Sequence, residues 1–168
     1  MNPVGILLFC TLFVRKQTMA NTYTQIYIHI IFSTRARTKL IHSSFREELL
    51  KYISGIIKRK GQTPLAVNGT SDHIHIFVGI KPDKSVSDLV RDIKHFSTNF
   101  VKAKKLTRTK FLWQEGYAAF SYSHSQINSV IKYIINQEKH HKTKLFTEEY
   151  TEFMKKFKVE YDEKYLLD

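Results

Sequence analysis

The stretch Asp72-His73-Ile74-His75-Ile76-Phe77-Val78-Gly79-Ile80 decides how this chain is read. It is short, apolar and rich in β-branched residues, and it runs out at Gly79 and Pro82, so it predicts a buried strand. Side chains alternate along a strand, which places His73, His75 and Phe77 on one face and Ile74, Ile76 and Val78 on the other. Each imidazole carries a donor and an acceptor that must be matched on burial, so two such rings are a costly way to fill a core. Two neutral imidazoles converging on one point are half of a site for a divalent metal. Taken alone, the pair is equally compatible with hydrogen-bonded histidines of no further role.

Working outward, strand and helix patterns alternate. Tyr23 to Ser33 has strong β propensity. Ser44 and Glu47 have the spacing of a capping box, and Leu49, Leu50, Ile53, Ile56 and Ile57 follow at helical intervals up to Gly61. Thr63 to Asn68 predicts a strand joined through Gly69 to Asp72 into a hairpin with the histidine strand. Ser85 and Asp88 open a second helix whose buried stripe is Val86, Leu89, Val90, Ile93, Phe96 and Phe100. Phe111 to Trp113 and Ala118 to Tyr122 are expected to be extended, Gln126 to His141 a third helix, and Glu148 to Phe157 a fourth. The order β-α-β-β-α-β predicts an α+β fold of the ferredoxin-like, split βαβ kind: an antiparallel sheet with helices on one face, plus a C-terminal tyrosine-bearing helix.

A length of 168 residues favours one domain with a real core. Lys and Arg outnumber Asp and Glu by 27 to 15, a net charge of +12 that favours a polyanionic partner, most often nucleic acid, with a merely solubilising surface as the alternative. Cys10 is the one cysteine, which excludes an internal disulfide and a cysteine-based zinc site and fits a cytoplasmic protein. Gly5 to Val14 is apolar but shorter than the roughly 20 residues a bilayer requires. Arg15 and Lys16 follow that run instead of preceding it, unlike a signal peptide. Residues 1–18 are therefore expected to be an extension outside the fold, with translation starting at Met19 and a single domain over 19–168; a peripheral anchor is the weaker alternative, and no membrane partner is expected.

The third helix supplies what the histidine pair lacks. Tyr133 and Gln137 are four residues apart and share a helical face, with His140 and His141 one turn further on. The carbonyl oxygen of Gln137 would complete a set of two nitrogens and one oxygen around a hard ion, leaving positions for phosphate oxygens, as suits Mg²⁺ or Mn²⁺. Tyr133 would stand one turn from that ion, where a nucleophile belongs. The bland alternative is a partly exposed tyrosine beside a solvated amide.

With these residues in view, the chain resembles the small single-tyrosine HUH transposases of bacterial insertion sequences that move as single-stranded DNA. HUH denotes His, a hydrophobic residue and His, here His73-Ile74-His75 preceded by Asp72. Phe32 to Arg37, Trp113 to Ser123, Tyr133 to His141 and Glu160 to Tyr165 resemble further blocks of that family, in order, over about residues 19 to 168. The resemblance implies that Tyr133 attacks a scissile phosphate, leaving a 5′-phosphotyrosine and a free 3′-hydroxyl. It also implies metal ligation by His73, His75 and Gln137, recognition of DNA hairpins, and a homodimer in which the tyrosine helix of one subunit completes the site of the other, with a monomer, as in relatives associated with genomic palindromes, the alternative that the sequence leaves open. A tyrosine hydroxyl has a reference pKa of about 10, so it needs assistance to act as a nucleophile.

Candidate phosphate contacts are Arg35, Arg37 and Lys39 after the first strand, and Lys102, Lys104, Lys105, Arg108 and Lys110 after the second helix. Trp113, Tyr117 and Phe120 are candidates for stacking unpaired bases, against the alternative that they belong to the core. The rival functions are a relaxase or replication nickase, a non-catalytic single-strand binding module on the same fold, and a domesticated copy serving its host.

Overall fold

The structure, a computed structural model, describes residues 23–137 and 145–162. Four strands, β1 (Tyr27–Ser33), β2 (Thr63–Gly69), β3 (His73–Gly79) and β4 (Ala118–Tyr122), form one antiparallel sheet in the spatial order β2-β3-β1-β4. Helix α1 (Ser43–Arg59) joins β1 to β2, and α2 (Val86–Ala103) joins β3 to β4, which is the split βαβ arrangement. After β4 come α3 (Ile127–Ile135) and α4 (Phe146–Lys156).

Alternation along the strands builds two cores. Ile30, Phe32, Ile74, Ile76 and Val78 face α1 and α2, where they pack with Leu49, Ile53, Ile56, Ile57, Leu89 and Ile93. Each such side chain removed from water contributes about 1.5–3 kcal/mol, so this layer dominates stability. The opposite face carries His29, Ile31, His73, His75 and Phe77, and there α3 and α4 dock through Val130, Ile134, Phe146, Tyr150, Phe153 and Met154. The tyrosine-bearing helix and its successor thus cover the histidine face, while α1 and α2 occupy the other.

The elements depart from expectation mainly at their ends. The first strand starts at Tyr27, not Tyr23, because Tyr23 is exposed and the pairing of β1 with both neighbours begins at Tyr27. Helix α1 begins at Ser43 behind His42, without the capping box expected of Ser44 and Glu47. Ser85 does cap α2, its Oγ accepting from the Asp88 amide at 3.0 Å. Phe111 to Trp113 makes only an isolated bridge, Thr34 to Trp113, with Phe111 and Trp113 buried in the core. The expected third helix is interrupted after Ile135, with a turn at Asn136 and Gln137 helical again, and its expected part beyond Gln137 lies outside the described residues. Asn68 donates from Nδ2 to the carbonyls of Ile134 and Ile135 at 2.8 and 3.0 Å, and Asn136 turns its own amide back on Lys132. Those bonds satisfy carbonyls that a longer helix would have used. The positions of His140 and His141 and the N-terminal extension lie outside the described residues, as does the end of the Glu160 to Tyr165 block.

The hairpin carrying the histidines is held by a tight turn. A side chain at Gly69 would collide with the His73 carbonyl oxygen and approach Ile74 Cγ2 to 2.8 Å, so only glycine fits. Among the described residues no helix is long and apolar enough to cross a membrane.

Candidate active site

The register of the sheet puts the imidazoles side by side. His73 pairs with Ser33 and His75 with Ile31 across β1, and both rings are buried, 5.2 Å apart between centroids. Each is oriented from behind. His73 Nδ1 lies 2.7 Å from Asp72 Oδ1 and 2.9 Å from Thr70 Oγ1, leaving Nε2 as its other ring nitrogen. His75 Nδ1 lies 3.0 Å from Nε2 of His29, a third buried histidine on the same face. Burial lowers the pKa of His73, against the opposing pull of Asp72, so the ring favours its neutral form. Burial alone takes His29 down to about 3. For Asp72, burial acts upward, but bonds from His73 and Thr70 and the charge of Arg37 hold the carboxyl well below the usual range.

Across from the histidines stands a carboxylate that the sequence reading missed. Glu149 on α4 is buried, and its Oε1 lies 3.9 Å from His75 Nε2. One donor atom from each of His73, His75 and Glu149 falls within 4.8 Å of the other two. Gln137 is also fully buried and donates from Nε2 to Glu149 Oε1 at 3.0 Å. That bond assigns the amide nitrogen to the carboxylate side and leaves the buried Gln137 Oε1 for the His73 side, where the amide acts to raise the His73 pKa. Desolvation, reinforced by the charge of Glu152, pushes Glu149 up to about 8. Two imidazole nitrogens with one or two oxygens could hold a divalent cation.

Tyr133 shares this space. Its ring is half-buried, 6.1 Å from His75, 6.4 Å from His29 and 5.7 Å from Phe153, all within one chain. Phe146 covers the pair from the other side, 4.3 Å from the His73 ring. Tyr133, His73, His75 and Gln137 are thus brought together, although Gln137 follows the break at Asn136 rather than continuing the helix of Tyr133.

The basic residues divide. Arg37 reaches the rim, 3.4 Å from Asp72 Oδ2 and 5.1 Å above the Phe146 ring, after a turn in which Ala36 and Arg37 both adopt left-handed backbone angles. Arg35, Lys39, Lys102, Lys104, Lys105, Arg108 and Lys110 are exposed, and Lys104 pairs with Glu48. Two expected stacking residues belong instead to the core. Trp113 packs against Phe32 and Phe111 with its Nε1 donating to Ser97 Oγ at 2.9 Å, and Phe120 stacks on Phe153 and Phe157. Tyr117 is half-buried against the main core, under the Lys94 ammonium.

A family model described as "Transposase IS200 like" matches residues 22–137, including both histidines, Tyr133 and Gln137. No curated protein sequence matches the chain. Among solved structures, a Deinococcus radiodurans R1 protein described as a candidate transposase is 20% identical, with a TM-score of 0.57 over 70% of this chain and 94% of its own. A REP-associated tyrosine transposase bound to a REP hairpin is 19% identical, with a TM-score of 0.52 over 71% of each chain. At these identities the structural likeness is one of fold.

Proposed function

The chain belongs to the IS200-like transposase family, and from that premise we propose that it cuts and rejoins single-stranded DNA through a covalent link to Tyr133. One observation supports the reading: within a single chain, the Tyr133 ring lies 6.1 Å from the His75 ring, and His73, His75 and Glu149 each bring a ligand atom within 4.8 Å of the others, with Gln137 bonded to Glu149.

Each residue then has a task. The Tyr133 oxygen gives up its proton and attacks phosphorus; the O–P bond to the 3′ oxygen breaks and that oxygen leaves as a hydroxyl. The DNA on the 3′ side stays joined to the enzyme by its 5′ phosphate. A second 3′-hydroxyl reverses the step and releases the phenol, so no nucleotide cofactor is consumed. His73, His75 and Glu149, with Gln137 Oε1, would hold a divalent cation, Mg²⁺ or Mn²⁺. Such an ion, when bound, neutralises charge on the phosphoryl oxygens and favours in-line displacement. Glu149 here stands beside Gln137, which the sequence alone assigns as the third ligand. Asp72 fixes His73, and Arg37 at the rim is placed to steer the phosphate. Arg35, Lys39, Lys104, Lys105, Arg108 and Lys110 would give salt-dependent hold on the backbone. Hairpin DNA is the substrate class that the bound relative supports. We read residues 19–168 as the catalytic unit, acting inside the cell.

The test uses single-stranded oligonucleotides from the DNA flanking the gene, labelled at the 3′ end. With Mn²⁺ the wild-type chain should form a denaturation-resistant adduct mapping to Tyr133, lost in Tyr133→Phe and on chelation. Hairpin binding that ignores metal, with no adduct in the wild type, would make this a non-catalytic binding module.

A further inference from the structure

His29 sits inside β1, in Tyr27-Ile28-His29-Ile30-Ile31, where an apolar residue would serve the packing better. It is fully buried, walled by the rings of Tyr122, Tyr133 and Phe153 at 5.4–6.4 Å. Its Nε2 meets His75 Nδ1 at 3.0 Å, while its Nδ1 has no hydrogen-bond partner among the described residues. Burying a ring that leaves one polar atom unsatisfied calls for a reason beyond packing.

A single hydrogen lies between the two nitrogens, and its owner decides what His75 can do. If His29 Nε2 donates, the Nδ1 lone pair of His75 is consumed and its proton must sit on Nε2, the nitrogen facing Glu149. That tautomer has no lone pair left for a metal. If His75 Nδ1 donates, Nε2 keeps its lone pair on the side of Glu149, where a metal can use it. The second arrangement requires His29 to be an acceptor with its own hydrogen on Nδ1. His73 already has such support, since the Asp72 carboxylate accepts from its Nδ1.

We infer that His29 is a positioning residue: a neutral ring that accepts the Nδ1 hydrogen of His75 and thereby turns the Nε2 lone pair toward the metal. The two ligand imidazoles are thus backed differently, one by an anion and one by an uncharged ring, and His29 touches neither metal nor DNA. This inference rests on the metal-centre reading above and concerns the atom that orients one of its ligands.

Two measurements on the full chain decide it. Ring ¹⁵N spectra of the Mg²⁺-loaded wild type should show His75 protonated on Nδ1 and His29 protonated on Nδ1; His75 protonated on Nε2 in the loaded protein would overturn the inference without any variant. In Mn²⁺ titrations followed by calorimetry, His29→Phe should bind roughly 10–100-fold more weakly, and His29→Gln, whose oxygen replaces the ring acceptor, should return to within about threefold of the wild type. A folded His29→Phe with wild-type affinity would remove His29 from the site. A wild type that binds no metal at all would instead sink the metal-centre reading itself, and this inference with it.

Discussion

Gln137 gives an amide hydrogen to Glu149 at 3.0 Å, joining the residue that follows the tyrosine helix to the helix that closes over the histidines. The bond ties two elements that the sheet does not connect, and it leaves a buried carboxyl with a pKa of about 8 facing His75. The metal-free site is therefore held together at a cost that depends on pH.

That cost has a sign. The folded pKa of Glu149 lies above its ordinary 4.5, so its contribution to stability is complete below about 4.5 and is lost as pH rises through 8. Glu149→Gln, which has no charge to bury, should make the metal-free protein more stable at pH 8, by up to about 4 kcal/mol, and change little at pH 4.5. Urea unfolding at the two pH values measures it; equal effects at both would exclude a raised carboxyl. The same substitution should lower Mn²⁺ affinity.

Loading the site should release a proton. At pH 7 the raised Glu149 carboxyl is largely protonated, and a cation must displace that hydrogen to use the oxygen. Calorimetric heats of Mn²⁺ binding in buffers of different ionisation enthalpy should therefore differ, with proton release falling above pH 8. A buffer-independent heat at pH 7 would mean that Glu149 is not displaced.

Asp72 acts through His73. Asp72→Asn keeps the size of the side chain but replaces an anionic acceptor by a neutral one at 2.7 Å from the ring. Metal affinity should fall roughly 10-fold or more with the fold intact. Asp72→Glu, which restores the charge, should recover part of it.

How much of this was legible in the sequence follows from which signals are local. Strand alternation fixes the face on which His73 and His75 lie, and hydrophobic spacing fixes α1 and α2, because both are properties of neighbouring residues. Glu149 was missed because its partners come from other elements, yet a signal existed. In Phe146, Glu149, Tyr150, Phe153 it occupies a buried position of the apolar stripe of α4, where an acidic residue has no packing role. His29 carries the same signal in β1. The early end of α3 was not legible, since it depends on Asn68, on a distant strand, reaching the carbonyls of Ile134 and Ile135. For Trp113 and Phe120 composition left base stacking and the core both open, and their burial decides for the core.

Gly69 offers a test of the hairpin. A methyl group there meets the His73 carbonyl and Ile74, backbone and core atoms that cannot swing aside. Gly69→Ala should destabilise the protein by about 2 kcal/mol or more and weaken metal binding in the molecules that still fold, because the turn sets His73. Gly55→Ala, whose added methyl meets nothing within 4 Å on the exposed side of α1, should be neutral to stabilising by up to about 1 kcal/mol. Thermal unfolding of the pair compares them.

The last prediction concerns whose tyrosine serves whose histidines. A homodimer with shared sites is the arrangement that family resemblance implies, whereas the Tyr133 ring stands 6.1 Å from His75 of its own chain. If each chain supplies its whole site, mixing Tyr133→Phe with His73→Ala under conditions that allow subunit exchange should restore no adduct, since neither chain holds both groups. If the tyrosine helix passes to a partner, the mixture regains sites that pair an intact Tyr133 with an intact His73, up to a quarter of all sites when the two chains mix randomly in equal amounts. The geometry within one chain favours the first result. Rescue would require α3 to leave its place against Asn68 and Phe77, breaking the two bonds from Asn68 to its last carbonyls. Asn68→Ala, which removes those bonds in advance, should then increase rescue, and should have no such effect if the site is completed within one chain.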